Sequence, residues 1–459
     1  MSTQDRRGGL LGQVDWVLIG IYLTLALIGW MHVWSAVPNQ ERVSPFDVSS
    51  EAGKQFAWLL ICLLVGAALL LSDTNLFYAF RWPFFGIGVA LLLLVLVIGQ
   101  EVGGNKSWIV LNSFIKIQPS EFAKYVTALA LAGYLSTPLH LSPPAGRWPT
   151  LFWIFLAPIT LILSITDLLL GQGLQMKRVV YWLKAFAIIG IPAVLVLAEK
   201  DTGSTLVYAA FVLAMFRFGL YLLLLYLGII LAFLFLTSLL IQPWILVLVL
   251  VLVSIAIWLL ILERSRKAIL PMGFFLVLLS GFTLGGRWVF DHVLMPHQRT
   301  RIMVLFNPDL DPKGSGWNVN NSKMAIGSGS WFGKGFLNGT LTQLKFVPKQ
   351  HTDFIFSAIG EQWGLLGTTV VILLFLTLMM RLILRAEMQR SPFAKAFGYI
   401  VACVLFFHFF MNIGTTIGLA PAVGVPLPFI SYGGSSLLGF TLLLFTFIKL
   451  DAHNLEVLR

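Results

Sequence analysis

The stretch "HTDFIFSAIGEQWGLLGTTVVILLFLTLMMRLILRAEMQR", residues His351 to Arg390, decides the fold class. It opens polar, runs through an apolar segment, and closes on Arg381, Arg385 and Arg390. About 20 predominantly apolar residues are needed for a helix to cross bilayer hydrocarbon, and Asp353 to Leu382 supplies them. Asp353, Ser357, Gly360, Glu361 and Gly364 fall on one helical stripe. Carboxylates are costly in lipid, so the stripe must face protein or water, which predicts an interior cavity.

The rest of the chain follows the same pattern. Of 459 residues, 58% are hydrophobic and 11% charged, whereas a soluble protein has about a quarter charged residues. Apolar runs predict about twelve spans: Val14 to Ala36, Lys54 to Leu71, Trp82 to Gly99, Pro119 to Leu135, Val180 to Ala198, Ser204 to Phe218, Leu220 to Leu240, Ile245 to Leu262, Ile269 to Phe290, Asp353 to Leu382, Ala394 to Ile417 and Ser431 to Leu450. The N-terminal "MSTQDRRGG" enters the first without a small-residue cleavage site, so that span is expected to be retained. Leu151 to Leu170 has basic residues on both sides and is expected to lie on the membrane or re-enter it. "ERSRK" (Glu263 to Lys267) and "RLILRAEMQR" (Arg381 to Arg390) are short basic connections and should be cytoplasmic. Alternating from an inside N-terminus satisfies both and puts Asp291 to Thr352 outside. The expected fold is thus all-α: a polytopic integral membrane helix bundle, one domain over residues 1–459, with one large extracytoplasmic loop at 291–352.

The net charge of +11 fits Lys and Arg gathered in loops that face anionic lipid, which makes membrane lipid the partner and gives no support to nucleic acid. Cys62 and Cys403 sit in apolar runs with no disulfide or metal spacing. None of the seven histidines pairs at metal-ligand spacing, and no "GxSxG" nucleophile motif is present. No cofactor is expected, and a bridging divalent cation finds no ligand set in the sequence.

Three polar patches carry the chemistry. The long loop contains Asp309, Asp311, Arg299, Arg301, Lys334 and many glycines, whose amides can form an anion-binding nest. It is no P-loop, because Ser328 stands where the first glycine is required. Asp311, before Pro312, reads either as a turn former or as a general base. The second patch runs from Gly103 to Tyr125, where Pro119 suits a first helical turn and Glu121 and Lys124 can pair on one face. The third, Asn412 to Ser436, is interrupted by Pro421, Pro426 and Pro428 before "SYGGSS" opens the last span with anion-binding amides. The direction count puts all three at the outer face, as parts of one site.

"KSWI" with "QPSEFAK", "NPDLDPKGSG" with "AIGSGSWFGKG", "HTDFIFSAIGEQWG" and "GLAPAVGVPLPFISYGGSS" together resemble the SEDS family of bacterial cell-wall proteins, and its RodA branch more than its FtsW branch. The resemblance covers most of the chain in matching order. It implies a peptidoglycan glycosyltransferase that uses lipid II on the outer side of the cytoplasmic (inner) membrane. It also implies a class B penicillin-binding protein (transpeptidase) as partner, beside other elongation-complex membrane proteins. Asp311 matches the family's essential aspartate in "DPxGxG" and is the expected catalytic residue. Arg301, Lys124, Glu121, Ser328, His351, Asp353, Glu361, Asn412, Ser431 and Ser435 are the expected substrate-binding residues. The chain departs from the family at "KDTGS" (Lys200 to Ser204) for "PDxGT", at Trp317 for Tyr and at "NVNNS". The family has about ten spans, so a hairpin within Leu220 to Leu262 is expected as an addition. The alternative is a lipid II flippase, which needs a hydrophilic path in both leaflets, whereas the polar segments here gather on one side.

Overall fold

The computed structural model describes residues 10–38, 42–102, 105–110, 116–137, 176–260, 266–311, 314–348 and 350–453. Leu151 to Leu170 lies outside them, as do parts of the first two polar patches. The chain divides into two compact units: Met1–Pro143, Lys184–Phe218 and Pro312–Arg459 form the first, Pro144–Leu183 and Gly219–Asp311 the second.

Among the described residues, ten helices are long and apolar enough to cross a membrane. They are α1 (Trp16–Ser35), α2 (Glu51–Leu71), α3 (Arg81–Ile98), α5 (Met176–Ala198), α8 (Leu222–Leu240), α9 (Pro243–Leu260), α10 (Arg266–His292), α14 (Ile355–Glu387), α15 (Pro392–Thr416) and α16 (Gly434–Ala452). The two remaining predicted segments are also helical. One is the 17-residue α4 (Pro119–Leu135), and the other breaks at Tyr208 into α6 (Thr202–Val207) and α7 (Ala209–Arg217).

Polar contacts at the charged end of α14 hold the first unit's spans together. Asp15 caps α1 by accepting from Val17 N (3.1 Å) and Leu18 N (3.3 Å), and its carboxylate also takes Arg381 Nε at 2.8 Å. Four residues on, Arg385 reaches Asp451 of α16 at 2.7 Å. Buried charges persist only when paired, and here each carboxylate meets an arginine. Away from these pairs the spans interlock through small residues: a Cβ on Gly29 would fall 2.5 Å from the Ile430 backbone, and one on Gly398 2.4 Å from the Phe447 ring. Lipid tails are as apolar as leucine, so close packing of this kind, and not the hydrophobic effect, is what draws helices together inside a bilayer.

In the second unit, α8 and α10 are tied by Arg287, which pairs with Asp291 of its own helix (2.8 Å) and donates to the carbonyls of Ser238 and Leu239 at the end of α8. None of the residues of α9 is buried, as expected of a helix that is apolar all round and meets lipid.

The all-α expectation omits a small antiparallel sheet, β1 (Gln100–Val102), β2 (Asn105–Val110) and β3 (Lys116–Ile117), in that order. Val102 pairs with Asn105 and Ile109 with Ile117. The cue was present as Gly103-Gly104 between two short runs, a two-residue hairpin signal. The long loop is also built: it carries α11 (Pro296–Met303), a 3₁₀ turn at Pro308–Leu310, α12 (Ser315–Ser328) and α13 (Thr340–Gln343).

Candidate functional site

Two of the polar patches meet in the first unit at the start of α4. Pro119 occupies the first turn, where a missing N–H costs nothing, and Glu121 follows it. Glu121 and Lys124 form an ion pair at 2.8 Å, with only 2% of the Lys124 side chain exposed. Lys124 Nζ also lies 3.2 Å from His408 Nε2, and His408 Nδ1 lies 3.1 Å from the Pro426 carbonyl. A carbonyl can only accept, so Nδ1 carries the ring proton and Nε2 accepts from Lys124. His408 is a member of this buried set that motif reading missed, because a single histidine inside an apolar run carries no spacing signal. Ser435 joins the same patch from α16: its hydroxyl donates to Lys116 O (3.0 Å) and accepts from Gln118 N (3.2 Å).

The departing "KDTGS" segment packs into this corner. Asp201 caps α6 through Ser204 N (3.0 Å) and accepts from Gln118 Nε2 (2.7 Å). Gly203 is pressed against the proline-rich segment, where a Cβ would fall 2.4 Å from Val423 O. Just before them, Glu199 is fully buried and, among the described residues, neither carboxyl oxygen has a hydrogen-bond partner. Burial, reinforced by the neighbouring Asp201, pushes its carboxyl up to about 8.

α14 shows why Glu361 is tolerated beside lipid. The carboxylate is fully buried and accepts from Lys334 Nζ (2.8 Å), Leu341 N (2.8 Å), Thr342 N (2.8 Å) and the hydroxyls of Thr340 and Thr342 (3.2 and 2.5 Å). One side chain thus gathers five donors of the loop onto the helix. Glycines let it come close: a Cβ on Gly329 would fall 1.9 Å from Gly360 O. At Gly364 the helix kinks with φ +65°, a conformation that favours glycine. The expected stripe at Ser357, Gly360, Glu361 and Gly364 is buried, but the loop packs along it where a hollow was expected, and Asp353 precedes the helix. The amides of Lys334 and Gly335 donate to Glu361 O and Gln362 O, so they brace the loop and do not form an open anion nest.

The other expected binding residues of this unit fasten the segment before α14 to the proline-rich segment. Asn412 Nδ2 donates to Asp353 O (2.9 Å) and Val425 O (2.8 Å). Ser431 Oγ donates to Thr352 O at 2.6 Å and Tyr432 N to His351 O at 2.9 Å. The His351 ring lies 3.4 Å from Glu51, while Asp353 is half-buried beside Gly424. Ser328, exposed at the end of α12, donates to Ala325 O.

Asp311 and Arg301 belong to the second unit. Arg301 sits in the last turn of α11. Asn307 then accepts from Asp309 N (3.0 Å) and starts the 3₁₀ turn that ends on Asp311, whose N–H donates to Pro308 O. Asp309 is exposed and Asp311 half-buried. The turn that its sequence context suggested runs on through Pro312 and Lys313, which lie outside the described residues. The described residues hold no cluster of three or more His, Cys, Asp or Glu side chains suited to a metal ion.

A family model described as cell cycle protein, covering FtsW, RodA and SpoVE, matches residues 15–455. The chain is 30% identical over 448 residues to the peptidoglycan glycosyltransferase RodA of Treponema pallidum (strain Nichols), covering 92% of this chain and 94% of the relative. It is 43% identical over 151 residues to the peptidoglycan glycosyltransferase MrdB of Escherichia coli (strain K12), covering 33% and 40%. Among solved structures, a chain from the work titled "Structural coordination of polymerization and crosslinking by a peptidoglycan synthase complex" superposes with a TM-score of 0.62 at 22% identity, covering 96% of this chain and 99% of that one. The rod shape determining protein RodA of Thermus thermophilus gives 0.54 at 21% identity, covering 96% and 98%. The chain belongs to the FtsW, RodA and SpoVE family of membrane-embedded cell cycle proteins.

Proposed function

We propose that this protein is a peptidoglycan glycosyltransferase, a polymerase that transfers the disaccharide-peptide of lipid II onto another lipid II or a growing glycan strand for cell-wall elongation. The observation that carries this reading is the end-to-end likeness to a relative named for that activity, 30% identical over 92% of the chain.

In the reaction, a sugar hydroxyl of one lipid-linked disaccharide attacks the anomeric carbon of another. The new glycosidic C–O bond forms as the bond to the pyrophosphate oxygen breaks, and polyprenyl pyrophosphate leaves as a stable anion. A glycosidase needs one carboxyl group to protonate the leaving oxygen and another as base or nucleophile. An anionic leaving group removes the need for the acid, so one base and some positive charge suffice. Asp311 takes the proton of the attacking hydroxyl. Arg301 stabilises charge growing on the pyrophosphate. Lys124, already paired with Glu121, holds the α4 corner against His408. The reaction takes place on the outer face of the cytoplasmic membrane, where the strand is handed to a class B penicillin-binding protein for crosslinking. The likeness to a chain from a peptidoglycan synthase complex supports that partnership.

Purified protein reconstituted with fluorescent lipid II tests the reading. Polymerised, muramidase-sensitive strands are expected, with crosslinks once the transpeptidase is added. Movement of the dye between leaflets with no strands formed would instead establish the flippase.

A further inference from the structure

On the loop that packs against α14, Trp331 is 64% exposed and Phe332 81%, between neighbours that are mostly Gly, Ser and Lys. Their turn is pinned to the helix by its backbone: Leu365 N donates to Ser330 O at 2.8 Å and Leu366 N to Trp331 O at 3.1 Å. Gly333 and Gly364, both at positive φ, allow the approach, since a Cβ on Gly364 would fall 2.3 Å from Gly333 N.

From that point α14 exposes Leu366, Val370, Leu373, Met380 and Leu384. Their spacing of four, three, seven and four residues keeps them on one apolar stripe, the face a span turns to lipid. Arg381 and Arg385, with their carboxylate partners, mark the far end. Leu366 and Arg385 stand roughly 29 Å apart along the axis at ~1.5 Å per residue, close to the ~30 Å thickness of hydrocarbon. With the arginines at one boundary, the two aromatic rings lie at the other, where Trp concentrates in membrane proteins. The carbonyls of Ser330 and Trp331 are already bonded to α14, so they carry no unmet hydrogen bond into lipid.

We propose that the Trp331-Phe332 turn is a membrane anchor, seated at the boundary between headgroups and acyl chains of bilayer lipid, that tethers the loop between α12 and α13. This holds independently of the reaction the protein catalyses.

The test uses the full chain carrying Cys62→Ala and Cys403→Ala, with a nitroxide on Phe332→Cys, in phosphatidylcholine and phosphatidylglycerol vesicles. A label on Asn338→Cys, exposed on the same loop, is the aqueous control. Collision with oxygen is expected to exceed collision with a water-soluble nickel chelate at position 332, and the order to reverse at 338. Greater nickel access at 332 places the turn in water and overturns the proposal. Exclusion of both reagents also overturns it, because protein then covers the turn. Bromine-labelled lipid must also quench the Trp331 emission, read as the difference between wild type and Trp331→Phe.

Discussion

Replacing Glu361 by alanine removes the acceptor that holds the loop on α14. Five donors lose this acceptor: Lys334 Nζ, which keeps the Thr340 hydroxyl at 2.7 Å, Leu341 N, Thr342 N and the hydroxyls of Thr340 and Thr342. They are not equivalent. Lys334 is partly exposed and Thr340 exposed, so water replaces the carboxylate for both at little net cost. Thr342 is buried, so its N–H and hydroxyl remain unsatisfied at ~1–3 kcal/mol each, with a smaller contribution from Leu341 N. The loop should therefore lose ~3–5 kcal/mol relative to a locally opened state. At 1.4 kcal/mol per factor of ten, amide exchange at Leu341 and Thr342 should accelerate at least about 10²-fold. Hydrogen exchange read by mass spectrometry on peptides covering 333–346 measures this, with α16 peptides as the unaffected control. Glu361→Gln should fall between, since its amide nitrogen faces donors. Unchanged protection over 340–343 in a folded Glu361→Ala protein would refute this role for Glu361.

Lys124→Met should cost ~3–5 kcal/mol, because Glu121 is left as an unpaired buried carboxylate; the double variant Glu121→Gln with Lys124→Met should recover most of it in thermal unfolding in detergent. A single variant as stable as wild type would contradict the pairing. Glu199 titrates at about 8 in the folded protein against an ordinary 4.5, so the folded state holds its proton more tightly than the unfolded one. Stability from this group is therefore greatest below about pH 4.5 and is lost as pH rises to about 8, with a slope of at most ~1.4 kcal/mol per pH unit. Glu199→Gln should flatten that dependence in denaturation measured between pH 5 and 8, and an unchanged slope would count against it.

What the sequence disclosed, and what it hid, follows from the range of the signals. The spans are local: twenty apolar residues announce themselves whatever they pack against, and eleven of the twelve segments coincide with a single helix, the twelfth with the broken pair α6 and α7. Even α4, which buries Glu121 and Lys124, was legible because Pro119 and the three-residue spacing of the ion pair act within one turn. The roles of Glu361 and His408 were hidden, because their partners lie on other elements. Glu361 on an apolar helix suggested a hollow; that the loop's glycines lie close along the stripe depends on contacts such as Gly329 on Gly360, which no local pattern encodes. Glu199 passed unnoticed for the same reason: its burial is a property of the corner formed by β2, α4 and α6.

The central claim is that Asp311 is the base that deprotonates the acceptor hydroxyl. Asp311→Asn keeps the size and the turn but removes the proton acceptor, and a positioned base contributes about 10²- to 10⁴-fold. The most direct measurement is the lipid II polymerisation rate of reconstituted Asp311→Asn protein beside wild type, with lipid II binding measured in parallel. The account predicts a loss of at least about 10² in rate with binding retained. Polymerisation at the wild-type rate would contradict it.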